Sequence, residues 1–182
     1  IGSTPIRHDG MDKVTGRAIF GADVKAPGLI WGDLLRSPHA HARIKSIDTS
    51  TAEAMDGVFA VLTHADFPQA DDKSIDAGEG TVNLRRGQTN VMADGKVHYK
   101  GHVVAAVAAT DRNTAREAAR LIKVDYEVLP AISDVDTAMA AGAPAILDGL
   151  VGDHLGQKVE NTNVARVFRH EFGDVDDAFA NS

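Results

Sequence analysis

Hydrophobic positions follow two different periods in this chain, and the switch between them is clearest from Gly101 to Pro130. Val103–Ala109 is an unbroken run of small apolar residues, the pattern of a strand covered on both faces. Thr110, Asp111 and Asn113 then supply helix-capping chemistry, and Ala115, Ala118, Ala119 and Ile122 recur on one helical face. From Lys123 the period drops to two. Val124, Tyr126 and Val128 alternate with Lys123, Asp125 and Glu127 until Pro130 stops the run, which predicts a half-exposed outer strand. The stretch reads strand, helix, strand, and its alanine face predicts a helix lying close to a sheet.

The same reading extends along the chain. Turn formers crowd residues 1–28, among them Asp9, Gly10, Gly16, Gly21, Pro27 and Gly28, so an arm with tight turns is expected there. Leu29–Arg36 is apolar enough for a strand, which Ser37-Pro38 breaks. Ala42–Ile47 gives a mixed alternation, with Ala42, Ile44 and Ser46 set against Arg43, Lys45 and Ile47. Thr49 or Ser50 can cap a short helix, Glu53 sits at capping-box spacing from Ser50, and Gly57 ends the helix before a buried strand at Val58–Leu62. Thr63–Gly87 reads as a long polar loop, and Asp94-Gly95 as a hairpin turn between Asn90–Met92 and Lys96–Tyr99. Ser133 is expected to cap a helix running to Met139, closed by Gly142. Residues 143–165 read as loop, Val167, His170 and Phe172 as a strand, and Val175–Phe179 as a last helical turn. Several strands and a few short helices, with no strict βαβα repetition, place the chain in the α+β class.

Composition narrows the function classes. A length of 182 residues with 43% hydrophobic content supports one core. A net charge of -7 argues against nucleic-acid binding, which draws on a basic face. With no cysteine there are no disulfides and no thiolate-held zinc or iron–sulfur clusters in this chain, in keeping with a cytoplasmic location. No apolar run is long enough to span a membrane, and no signal peptide is visible. The chain starts at Ile1 and stops at Ser182 in mid-pattern, so both ends are expected to be cut.

Candidate chemistry is sparse. His39 and His41 share a face if extended, but two imidazoles without a third ligand make a poor metal site. Gly78-Glu79-Gly80 lacks the third glycine and the strand-to-helix setting of a dinucleotide loop. The acidic segment from Asp66 to Glu79 lacks the ligand order of a calcium loop, and no nucleophile elbow occurs. Arg85-Arg86, beside Gly87 and Gln88, has the fork geometry to receive a carboxylate or phosphate. An ordinary solvated charge pair is the alternative.

Four phrases, taken in order, carry a family resemblance. They are IRHDGMDKVTGRAIFGADV from Ile6, LLRSPHAHARIKSIDTSTAEAMDGVFAVLTHADFP from Leu34, VHYKGHVVAAVAATDRNTAREAARLIKVDYEVLPAISDVDTAM from Val97 and FGDVDDAFANS from Phe172. Together they resemble the N-terminal part of the molybdenum hydroxylase large subunit, the xanthine dehydrogenase and aldehyde oxidase family, in its α/β-hammerhead domain. The likeness implies a mixed sheet with a few short helices packed on it. It divides the chain into an N-terminal arm (1–28), the hammerhead domain (29–150) and a connector (151–182) toward a molybdopterin-binding domain. It also implies a parent oxidoreductase that hydroxylates a heteroaromatic or aldehyde carbon with oxygen from water. Molybdenum on molybdopterin does that chemistry, with 2Fe–2S clusters and FAD on other domains or subunits as its partners. The family's glycine-rich pterin loops and its glutamate base match nothing here. The chain by itself is therefore expected to have no catalytic, cofactor or metal residues and no activity, and to act as a structural and interface domain. By its spacing from Gly101-His102, the family's substrate-channel segment falls on Leu84, Arg85, Arg86 and Gly87, where the arginine pair favours an anionic substrate. A free-standing small-molecule binding module and an independent hydrolase are the competing readings.

Overall fold

The computed structural model describes residues 2–181. An exposed N-terminal stretch contains helix α1 (Gly10–Val14) and a 3-10 turn at Gly21–Asp23, neither with a buried residue. Strands β1 (Trp31–Arg36) and β2 (Ala42–Asp48), helix α2 (Ser50–Glu53) and strand β3 (Val58–Thr63) follow. Next come strands β4 (Ser74–Asp76) and β5 (Thr81–Asn83), helix α3 (Leu84–Val91) and strand β6 (Lys96–Val97). Strand β7 (Val103–Ala109), helix α4 (Arg112–Leu121) and strand β8 (Lys123–Val128) form the predicted strand, helix and strand. Helix α5 (Val135–Met139), strands β9 (Val151–His154), β10 (Gln157–Glu160) and β11 (Arg166–Val167), and helix α6 (Val175–Ala180) complete the order.

The α+β class holds, with the strands shared among small sheets. One is antiparallel in the order β1-β7-β3, and a second is antiparallel in the order β6-β2-β8. The third, β10-β9-β11, contains a parallel pair between β9 and β11, and β4 and β5 form a two-stranded hairpin. Helix α4 lies on one face of the first sheet, where Ala118 and Ala119 pack with Ala52, Ala105, Val107 and Ile122. Asp111 starts this helix by accepting hydrogen bonds from the Asn113 and Thr114 amides, satisfying two of its orphan donors. Val104, the neighbour of Ala105, turns the other way into a second cluster with Ala42, Ala93 and Val97. Strand β7 is thus buried on the α4 face at Ala105 and Val107, whereas on its other face only Val104 is buried, so the two-sided cover that its apolar run predicts holds at one end of the strand. Ile47 and Val124 touch both clusters and join them.

The mixed alternation in β2 has a physical cause. Its register with β8 slips between Ile44 and Ser46: Ile44 faces Tyr126, whereas Ser46 faces Asp125. One extra residue reverses the in–out alternation, so Ile47 joins Ala42 and Ile44 on the inner face.

Three local expectations are corrected. Thr63–Gly87 is not one loop, because it holds the β4–β5 hairpin and the start of α3. Asn90–Met92 does not form a hairpin strand, since α3 runs to Val91 and β6 pairs with β2. Leu-Arg-Arg-Gly-Gln-Thr-Asn-Val has no apolar period, and Gly87 weakens it as a helix. Tertiary ties hold it instead: the Gln88 carboxamide accepts from the Ala70 amide and donates to the Pro68 carbonyl. Residues 143–165 hold β9 and β10 around the Leu155-Gly156 turn, where both residues take positive φ (54° and 87°). Leucine carries no signal for that conformation. Two caps also differ. Thr49 Oγ1 donates to Glu53 while Asp48 accepts from the Ser50 amide, and Asp134 rather than Ser133 caps α5. His170 and Phe172 lie beyond β11 and stack with ring centroids 5.8 Å apart.

Candidate functional site

Leu84, Arg85, Arg86 and Gly87 form the first half of helix α3. The Asn83 carboxamide oxygen accepts from the Arg86 amide at 2.9 Å and fixes where the helix begins. Both arginines are exposed, and neither belongs to any ion pair among the described residues. Cations in a first helical turn run against the helix dipole, so this placement gains nothing for the helix itself.

A second polar region is built from the ends of β2, β6 and β7. The His39 ring turns edge-on to Tyr126, with centroids 5.1 Å apart, so His39 and His41 do not act as a pair. His41 is 7% exposed, and its Nδ1 lies 2.7 Å from the Pro130 carbonyl. His102 is fully buried. Its Nε2 lies 2.8 Å from the Thr89 carbonyl, and its Nδ1 accepts from the His98 amide. Tyr99 stacks on the His102 ring at 4.3 Å and donates its hydroxyl to the Asn90 carbonyl. With both ring nitrogens paired, His102 can be buried without a large penalty.

The charge states follow from burial. Desolvation holds His98 below the ordinary 6.5, helped by His102, Lys96 and His41, and desolvation alone lowers His102. Burial raises Tyr126, opposed by a hydrogen bond with Ser37. Asp148 is lowered mainly by Lys96, whose ammonium lies 2.8 Å and 2.9 Å from its two oxygens.

The sequence-predicted segment 84–87 and this imidazole region meet only through α3, whose Thr89 and Asn90 carbonyls receive His102 and Tyr99. Sequence reading passed over His98 and His102, although His98-Tyr99-x-x-His102 places three rings within five positions. Among the described residues no three His, Asp or Glu side chains gather as a metal-ligand group, and the chain has no thiol. No helix among the described residues is long and apolar enough to cross a membrane.

The carbon monoxide dehydrogenase large chain of Afipia carboxidovorans is 44% identical over 163 residues, covering 87% of this chain and 19% of that protein. The nicotinate dehydrogenase large molybdopterin subunit of Eubacterium barkeri is 34% identical, covering 98% and 37%. The structure of reconstituted CO dehydrogenase from Oligotropha carboxidovorans superposes with a TM-score of 0.67 at 42% identity, over 79% of this chain and 17% of that one. The chain therefore spans between about a fifth and two fifths of the length of these relatives. The model of the family described as aldehyde oxidase and xanthine dehydrogenase, a/b hammerhead domain, matches residues 15–130. That match covers well over half the chain, together with the two sheets and helix α4, and the chain belongs to this α/β-hammerhead family.

Proposed function

We propose that this chain serves as the structural and interface domain of a molybdenum hydroxylase large subunit, with substrate oxidation carried out on segments outside it. The observation that carries this reading is surface area. The chain exposes 13,487 Å², whereas a compact monomer of this mass exposes about 8,400 Å². The difference of roughly 5,000 Å² exceeds the roughly 1,000–2,500 Å² that one partner contributes to a large obligate interface, so it leaves room for one and for the extended ends of the chain as well. Part of it has a defined geometry. On the face of the first sheet opposite α4, Leu34, Ala106 and Leu62 lie side by side in register, with Leu34 42% and Leu62 38% exposed. A solvated sheet face of a monomer normally carries polar side chains there.

In this reading residues 1–28 are an arm that packs on the neighbouring molybdopterin domain, residues 29–150 are the hammerhead body, and residues 151–182 are the connector. The parent enzyme oxidises a heteroaromatic or aldehyde carbon in the cytoplasm, using molybdenum on molybdopterin, with iron–sulfur and FAD groups on partner domains or subunits. Segment 84–87 lines the substrate entrance, and Arg85 and Arg86, which have no ion-pair partner among the described residues, draw an anionic substrate toward it. A free-standing binding module would need this apolar row covered within the isolated chain.

The test is reconstitution with the molybdopterin-binding remainder of the large subunit. Leu34→Glu with Leu62→Glu is expected to abolish complex formation while leaving the melting temperature of the chain unchanged. Equal assembly of the doubly charged variant would overturn the interface reading. In the intact complex, Arg85→Ala with Arg86→Ala is expected to raise KM for an anionic substrate with little change in kcat, and an unaltered KM would remove the arginines from the entrance.

A further inference from the structure

Two buried ring nitrogens, His41 Nε2 and His98 Nδ1, have no hydrogen-bond partner among the described residues. Both rings line one pocket of about 160 Å³, whose other walls include Ala40, Ala131, Ile132 and Ile146. Each ring has its second nitrogen engaged. The Pro130 carbonyl can only accept, so in the neutral ring Nδ1 of His41 carries the proton and Nε2 presents a lone pair. The Ile146 backbone acts on His98 as an acceptor, favouring its protonated form, and with Nδ1 unpartnered among the described residues this sets the proton of the neutral ring on Nε2. Two acceptor lone pairs thus line one small cavity, and no donor among the described residues reaches either of them. Buried acceptors are rarely left unmet, because their lost hydration is not recovered.

The surroundings select among occupants. A metal ion would need further ligands, and no third His, Asp or Glu joins the pair among the described residues. Lys100 stands in the wall, and the Asp148 carboxylate near His98 is already paired with Lys96, so a cation finds no free anionic partner in these groups. A cavity of roughly 150 Å³ accepts a benzene-sized molecule, and this pocket is close to that size. We propose that it binds a small neutral ligand bearing N–H or O–H donors, of the primary carboxamide class, with His41 and His98 as the two acceptors.

The experiment titrates the full chain, 15N-labelled at histidine, with acetamide and with N,N-dimethylacetamide, which keeps the carbonyl and loses both N–H groups. Acetamide is expected to shift the His41 Nε2 and His98 Nδ1 resonances saturably and to bind at least tenfold more tightly than the dimethyl compound. Ala131→Leu fills the pocket while keeping both imidazoles and is expected to abolish the shift, as is His98→Phe. Equal binding of the two amides would mean that no donor is recognised and would overturn the proposal. Binding of neither would reduce the pocket to a water site, with the same consequence. Stoichiometric Zn²⁺ binding with loss of both lone-pair signals would replace the proposal by a metal site.

Discussion

The two ends of strand β7 are surrounded in opposite ways. Around α4 the packing is carbon against carbon, and Ala105, Val107, Ala118, Ala119 and Ile122 all come from one eighteen-residue stretch. At the other end of β7 the buried groups include Ser37, His41 and His102, and their partners come from far along the chain. His41 reaches Pro130 across 89 positions, and His102 reaches Thr89. The first region packs apolar side chains against one another, whereas the second borders an open pocket with two acceptors unmet among the described residues. Apolar packing asks only for volume, but polar burial asks for a named partner.

The largest effect expected from this difference is steric. Ala118 has no exposed surface, and Ala118→Leu is expected to overpack the α4 contact by about 1–3 kcal/mol. At roughly 2–4 °C per kcal/mol for a chain of this size, thermal denaturation would register a drop of several degrees. The same change at Ala131, beside a pocket with room for it, is expected to lower the melting temperature far less. Equal drops at the two positions would break the contrast between a filled and an unfilled region.

How much of this was legible in the sequence follows the same division. The α4 unit could be read because helix and strand periods act over neighbouring residues, and Asp111 marked its start. Helix α3 could not, because its residues have no apolar stripe and it is held by Gln88 and by ring contacts from Tyr99 and His102. The reversal in β2 was visible only as a conflict between Ser46 and Ile47, which needs the β8 register to resolve. Of the site, the Arg85-Arg86 pair could be picked out by charge alone, but its place in the first turn of a helix could not. His39 and His41 drew notice as neighbours in sequence, yet the fold pairs His41 with His98, which no local pattern connects.

A smaller effect isolates the helix from the sheet beneath it. Asp111 receives two amides at the start of α4, and Asp111→Ala is expected to cost about 1 kcal/mol. Asp111→Asn, which keeps an acceptor oxygen, is expected to recover most of it in the same denaturation assay. A loss in the alanine variant as large as that of Ala118→Leu would mean that the cap, rather than the alanine packing, fixes α4.

The smallest effect separates the two regions by pH. His98 and His102 have folded values below 6.5, so the unfolded chain binds more protons in the window just under 6.5, and stability rises with pH there. Their contribution is fully present above 6.5 and is lost as pH falls through that window. The groups acting on His98 are His102, Lys96 and His41, all of the same sign, while Asp148 faces it with opposite charge. The lowered carboxylates, Asp111 and Asp148 among them, contribute stability above their ordinary 3.8 and lose it only as pH falls through their still lower folded values, so the two windows do not overlap. Denaturant midpoints measured from pH 8 to 5.5 are therefore expected to be flat and then to fall. Ala118→Leu should displace that curve in parallel, whereas His98→Phe should flatten its acid limb. An acid limb unchanged in the His98 variant would take His98 out of this linkage and leave the proton uptake to His102 or to groups elsewhere.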